Sequence, residues 1–259
     1  MVRYISQIGR WLWRGLRWLS TGAAVPALLF VAVWVGQSTW LAWRLQNDSA
    51  TVHAVEVNDQ LDRYAAMFTP VGLIVTGVAG NARDAARRAA VREIAQRGGL
   101  QTGADYAAAA LVFQHGDTPA DYQQANRYAE RAIDLGSERG WQLYALTRDR
   151  YLRSIDEPQQ FGTQYRLESG TWQLVLQPYD PTTTDAERAR YNVPPLAHLQ
   201  AGPPGGRNSP LLLLLVQVLV LGGLVRLTWL GVHWLWRRST RHEQAAATAS
   251  EAGLSDALA

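Results

Sequence analysis

The chain has 259 residues and a net charge of +3 at neutral pH, and it contains neither cysteine nor lysine. Disulfides, thiolate metal sites and lysine Schiff-base chemistry are therefore excluded. The charge is uneven: residues 1–45 carry +5, residues 46–209 carry −3 and residues 210–259 carry +1. A nucleic-acid binder needs a basic patch on its folded domain, so the acidic middle argues against a nucleic-acid partner, and the basic flanks read as membrane topology.

Residues 1–22 form a basic, Trp-rich segment. Ile5, Ile8, Leu12, Leu16 and Leu19 recur at helical spacing, with Arg10, Arg14 and Arg17 on another side. This pattern suits a helix lying on the membrane, with Trp11, Trp13 and Trp18 as interface anchors; a plain basic flank reads equally well. Residues 23–43 carry no charge and are about the ~20 residues that a membrane-crossing helix needs. Pro26 falls in the first turn, where a missing N–H costs little, and Trp40 and Trp43 sit at the far end, where indole rings prefer the headgroup region. A cleaved signal peptide is the rival reading; the long charged lead and the lack of a small-x-small site before Trp43 speak against it.

Residues 46–201 are predicted to form a mainly α-helical domain. The stretch 71–79, VGLIVTGVA, is too short and Gly-broken to span a membrane. It reads as a buried segment, with a membrane-touching one as the alternative. A helix is predicted over 81–97, with Asp84 in its first turn and Gly98-Gly99 at its end. Thr102 or Asp105 caps the next. Thr118-Pro119 gives N-cap and first helical position of a third, which Gly136 ends, and a fourth covers 138–154. Ala125, Ala129 and Ala132 match Trp141, Tyr144 and Ala145 in spacing, which predicts a close-packed helical hairpin, repeat-like in its packing but without a fixed period. Past Phe161 the pattern alternates. Tyr165, Leu167, Trp172, Leu174 and Leu176 are the inward residues of a predicted β-hairpin that turns at Glu168-Ser169-Gly170, and 184–190 reads as one more short helix.

Residues 202–210, GPPGGRNSP, form a Pro/Gly linker. A second span follows over 210–236, with Arg226 snorkelling at one face and Trp229, Trp234 and Trp236 as an aromatic belt; residues 237–259 read as a disordered cytoplasmic tail. Arg3, Arg10, Arg14 and Arg17 precede the first span, and Arg237, Arg238 and Arg241 follow the second. The positive-inside rule then places both ends in the cytoplasm and the middle domain outside the cell membrane. The fold class is thus mainly α, with a small β-hairpin and two transmembrane helices.

Three polar clusters are candidates for chemistry: 114–117, QHGD; 149–152, DRYL; and 160–164, QFGTQ. A histidine beside an aspartate can act as a general base, which makes His115, Asp117 and Asp149 the catalytic candidates. Arg150 is suited to clamp an anion, and Gln160, Thr163 and Gln164 are the candidate ligand-binding residues beside it. The structural alternative is that these groups satisfy buried backbone. The five histidines are scattered without a metal-ligand spacing, and no phosphate-cradling glycine loop occurs, so no metal and no cofactor is expected.

The order of these motifs resembles an uncharacterised bacterial domain family. The resemblance runs through Asp59-Gln60 with Arg63, then Asp84, Arg87-Arg88, Val91-Arg92-Glu93-Ile94 and Gly99-Leu100. It continues through Gly103, Asp105-Tyr106, Phe113-Gln114-His115-Gly116, Thr118-Pro119 and Asp121-Tyr122, and closes on Asp149-Arg150-Tyr151-Leu152 and 158–164, PQQFGTQ. Asp156-Glu157 stands where the family carries Gly. The resemblance implies a shared fold and a shared polar cluster, and carries no reaction with it. Two functions follow as expectations. The first is a membrane-anchored binding or scaffold module, taking a protein or peptide partner in a groove lined by Tyr122, Tyr128, Trp141 and Tyr144. The second is a hydrolase-like enzyme built on the His/Asp/Arg cluster.

Overall fold

A computed structural model of the chain describes residues 24–25, 27–32, 34, 47–169, 173–203 and 210–257. The chain divides into two compact units, Phe30–Leu215 and Met1–Leu29 with Val216–Ala259. The first is mainly helical with a small antiparallel ribbon.

Helix α1, Asp48–Phe68, starts at Asn47, whose side chain accepts from the Ser49 and Ala50 N–H groups. It stops at Thr69, which is also the N-cap of α2, Pro70–Gln96. The sequence predicts a helix only from 81. The start signal of Thr69 followed by Pro70 prevails over Gly72, Gly77 and Gly80, although each glycine costs roughly 1 kcal/mol in a helix interior. Asp84 therefore sits in mid-helix. The predicted burial of 71–79 is also corrected: Leu73, Ile74 and Val78 are exposed, Val78 at 86%, because among the described residues nothing in this unit covers that face.

Helix α3, Gly103–Phe113, has its N-terminus fixed by a capping box between Thr102 and Asp105. Ala107 to Phe113 are all buried, so this helix is apolar on every side and forms the centre of the domain. Helices α4, Pro119–Asp134, and α5, Glu138–Ser154, close the predicted hairpin. Ala125, Ala129, Ala132 and Ala145 are fully buried. A Cβ on Gly140 would lie 2.9 Å from the Ile133 nitrogen, so the two backbones approach as closely as glycine permits. Val52, Val55, Val91, Ile94, Phe113, Tyr128 and Leu143 complete this core with α3.

Strands β1, Tyr165–Leu167, and β2, Leu174–Leu176, pair antiparallel with Tyr165 opposite Leu176. Leu167, predicted inward, is exposed; it lies at the open end of a two-stranded ribbon that has cover only near Tyr165, whose hydroxyl donates to the Leu199 carbonyl. Trp172 lies outside the described residues. Two short helices, α6, Asp185–Arg190, and α7, Leu196–Gln200, follow. They enclose a second small core of Ala145, Phe161, Val193 and Leu199, with Tyr144 and Tyr191 packed on it.

Helix α8 runs Pro210–Ala257. Its stretch Leu214–Arg238 has 25 residues and a mean hydropathy of 1.8, long and apolar enough to cross a membrane. Arg226 lies within it, and Trp229, Trp234 and Trp236 are exposed along it. The tail predicted as disordered is helical to Ala257, in keeping with its alanine content. Ala24, Val25, residues 27–32 and Trp34 are helical. The rest of the predicted first span, the predicted surface helix, the linker over 204–209, and Trp11, Trp13, Trp18, Trp40 and Trp43 lie outside the described residues.

Candidate functional site

Helices α1 and α2 face each other with charge. Asn58, Asp59, Asp62 and Arg63 recur at three- and four-residue spacing on α1; Arg83, Asp84, Arg87 and Arg88 do so on α2. Such spacing gathers each set on one helix face. The buried Arg87 guanidinium donates to Asn58 Oδ1 at 2.8 Å and to Asp84 Oδ1 at 2.7 Å, and it pairs with Asp62. Arg83 forms a forked pair with Asp62 at 2.7 and 2.8 Å. Arg63 joins Asp84 at 2.6 Å and Asp59 at 3.2 Å. Burial would raise the Asp62 carboxyl, but the hydrogen bonds from Arg83, Arg87 and Trp34 hold it below the ordinary carboxylate value.

His115 stands at the end of α3 and its ring meets this charged face. Nδ1 lies 2.8 Å from Asp59 Oδ2. Asp59 is buried, which alone would raise its carboxyl. The hydrogen bond from His115 and the charges of Arg63 and Arg87 reverse that and keep the group ionised. An ionised carboxylate only accepts, so Nδ1 carries the hydrogen and Nε2 keeps a lone pair in the neutral ring. Among the described residues Nε2 has no hydrogen-bond partner, and the His115 side chain is 16% exposed. From the other side Arg88 donates to the His115 carbonyl at 3.0 Å and to Asp117 at 2.9 Å. Gly116 is required by this turn: a Cβ there would lie 2.3 Å from Asp121 Cβ.

Arg150 reaches the same place from α5. One of its terminal nitrogens donates to the Gln114 carbonyl at 3.2 Å, and its Nε is buried without a partner. Among the described residues no carboxylate lies within ion-pair distance of it. Burial depresses the Arg150 guanidinium below its ordinary value; nearby Arg63 pushes the same way, and Tyr122 and Asp59 oppose. Arg63 and the His115 ring thus meet on one deeply placed carboxylate, Asp59, with the Arg150 guanidinium nearby.

The other predicted residues lie elsewhere. Asp117 is turned to Arg88 and is well exposed, so the predicted pairing of His115 with Asp117 or Asp149 is replaced by Asp59. Asp149 is fully buried and accepts from the Phe161 N–H at 2.9 Å, the Thr163 N–H at 2.9 Å and the Thr163 hydroxyl at 2.8 Å. Burial pushes its carboxyl up, against those donors. Gln164 donates its backbone N–H to Gln159 Oε1 at 2.7 Å, while the Gln159 amide caps the Gln164 and Gln177 carbonyls. Gln160 reaches Glu187 at 3.2 Å. Asp149 and 159–164 therefore knit the helix-to-strand junction, and Arg150 alone of that set turns towards His115.

Of the aromatic residues predicted to line a groove, Tyr128 borders a surface pocket with Arg92, Gln124 and Arg127, and Tyr122, Trp141 and Tyr144 are half-buried. Tyr128 packs edge-on against Phe113, Trp141 tilts on Tyr191, and Tyr144 stacks on Tyr191 and meets Phe161 edge-on. Only Tyr122 borders the polar cluster. Sequence reasoning about chemistry missed Asp59, Asp62 and Arg63; the signal available was their spacing on α1 opposite a matching arginine series on α2. Among the described residues no three His, Asp or Glu side chains are placed to share a metal ion. No protein-family model, no curated protein and no solved structure matches this chain.

Proposed function

We propose that this chain is a two-pass membrane protein whose central domain lies outside the cytoplasm and binds a small anionic ligand at Arg63, His115 and Arg150. The arginine-rich flanks and the span-length stretch of α8 support the anchoring. The observation that carries the ligand reading is Arg150, a guanidinium with buried Nε, beside Arg63 and without a carboxylate of its own. A fixed, unneutralised fork of this kind suits a phosphate or carboxylate group. The partners in this reading are the bilayer and an anionic ligand, with a protein or peptide outside the membrane as the carrier of such a group, and no nucleic acid.

Calorimetric titration of the detergent-solubilised full chain with inorganic phosphate and with acetate tests the ligand reading. Saturable binding of one of them is expected, weakened in Arg150→Ala and His115→Ala and kept in Arg131→Ala, a variant of exposed α4. Binding of neither anion overturns it. Because the chain has no cysteine, single-cysteine variants test the topology. An impermeant maleimide should label Arg131→Cys on intact cells and Gln244→Cys only after lysis; the reverse pattern overturns the orientation.

A second reading, a hydrolase, is favoured by one observation: the Asp59–His115 pair at 2.8 Å. A carboxylate that fixes the ring through Nδ1 leaves Nε2 to take a proton from water, and Arg63 and Arg150 would hold the anionic substrate. Turnover of a chromogenic phosphodiester or carboxylic ester, lost in His115→Ala and reduced in Asp59→Asn, would select this reading over simple binding.

A further inference from the structure

The turn between α1 and α2 is apolar outside and polar-saturated inside. From Tyr64 to Ala82 the sequence holds no charged residue, and Arg63 and Arg83 bracket that stretch. Ile74 is 65% and Val78 86% exposed, with Phe68 and Leu73 also exposed beside them. Single exposed aliphatics are ordinary, but a contiguous set at the tip of a helical pair marks an interaction surface.

The backbone of the tip needs little from water. Thr69 is buried; its hydroxyl accepts from the Gly72 N–H at 2.9 Å and donates to the Ala65 carbonyl at 2.8 Å. Its own N–H goes to Ala65 and its carbonyl accepts from Leu73. Pro70 has no N–H to satisfy, and the Thr76 hydroxyl returns to the Gly72 carbonyl at 2.8 Å. A segment entering hydrocarbon must pair its polar groups internally, whereas a helix end meant for water has no such need. At the base, Trp34 of the first apolar run donates to Asp62 at 2.6 Å and lies under the Arg83 guanidinium. That apolar run and the hairpin therefore meet where the charges begin.

We infer that the tip of the α1–α2 hairpin inserts into the lipid bilayer, with Leu73, Ile74 and Val78 in the hydrocarbon. The uncharged part of α2 rises roughly 20 Å at 1.5 Å per residue, too short for a ~30 Å core and long enough to enter one leaflet. The inference rests on the membrane anchoring proposed above.

The test uses the full chain in lipid nanodiscs, with an environment-sensitive fluorophore on Val78→Cys, Ile74→Cys, Leu221→Cys in α8, and Arg131→Cys, each in the cysteine-free background. Quenching by lipids brominated on their acyl chains is expected at 74, 78 and 221 and absent at 131. A charge beside the label, Ile74→Asp with Val78→Cys, should reduce quenching at 78 several-fold. Quenching at 221 with none at 74 and 78 overturns the inference and leaves the anchoring intact. No quenching at any position means that the anchoring itself fails. Cross-linking between copies through Ile74→Cys, without lipid quenching, would show that a second copy covers the tip and also overturns it.

Discussion

Asp149 and Arg150 are consecutive residues of α5 and serve opposite sides of it. Asp149 accepts three hydrogen bonds from Phe161 and Thr163, while Arg150 donates to the Gln114 carbonyl. Neighbours on a helix point about 100° apart. One residue therefore builds the helix-to-strand junction, and the next reaches the polar cluster.

Substitution should separate these two roles. Asp149→Ala leaves two buried N–H groups without an acceptor and should cost about 3 kcal/mol, from ~1–3 kcal/mol for each, read as a lower midpoint in chemical denaturation. Arg150→Ala should change that midpoint little. It should weaken phosphate binding roughly ten- to a hundredfold, the equivalent of a charge-assisted hydrogen bond. Equal destabilisation by both variants would contradict the division.

The α1–α2 charge network should be costly to break from one side. Asp62→Ala leaves the buried Arg87 and the half-buried Arg83 without their shared partner. A loss of about 3–5 kcal/mol is expected. Thermal denaturation of the solubilised chain measures it, and a loss below 1 kcal/mol would mean that water takes over the role of Asp62.

Acid should unfold the domain through the same carboxylates. Asp59 and Asp62 have folded-state values below the ordinary aspartate value of 3.8. Their contribution is therefore complete above that value and is lost as the pH falls through their folded values. Asp149 has the opposite sign: its folded value is raised, so it favours the fold at low pH and that benefit fades as the pH rises through its folded value. The net expectation is a loss of stability below about pH 4, where the two network carboxylates outnumber Asp149. In Asp62→Ala that loss should be smaller. Unfolding followed by circular dichroism from pH 7 to pH 2 tests both points.

The α4–α5 hairpin should reject one added methyl. Gly140→Ala places a Cβ 2.9 Å from backbone of Ile133, and overpacking of this kind costs about 1–3 kcal/mol. Gly98→Ala meets no atom within 4 Å, but Gly98 has φ of 75°, so its cost comes from the backbone instead. A neutral Gly140→Ala would mean that the helices can part at this point.

Helices α3, α4 and α6 were legible because their punctuation is local: Thr102, Thr118 and Thr184 each accept from a backbone N–H near their helix start. α2 was misread because its start signal, Thr69-Pro70, is followed at once by three glycines that argue against a helix. His115 and Arg150 could be singled out by residue type. Their partners could not, since Asp59 lies 56 positions from His115 and no local pattern links them. The contacts of Trp141 and Tyr144 were not legible either, because Tyr191, 47 or more positions away, tilts on the first and stacks on the second.

His115 is held at two points by two different helices: Asp59 of α1 grips the ring and Arg88 of α2 grips the main chain. The imidazole therefore works as a pointer mounted across a scissor joint. Any sliding or rotation of α1 against α2 must swing Nε2 relative to Arg150, so the state of the hairpin and the aim of that nitrogen are one mechanical variable.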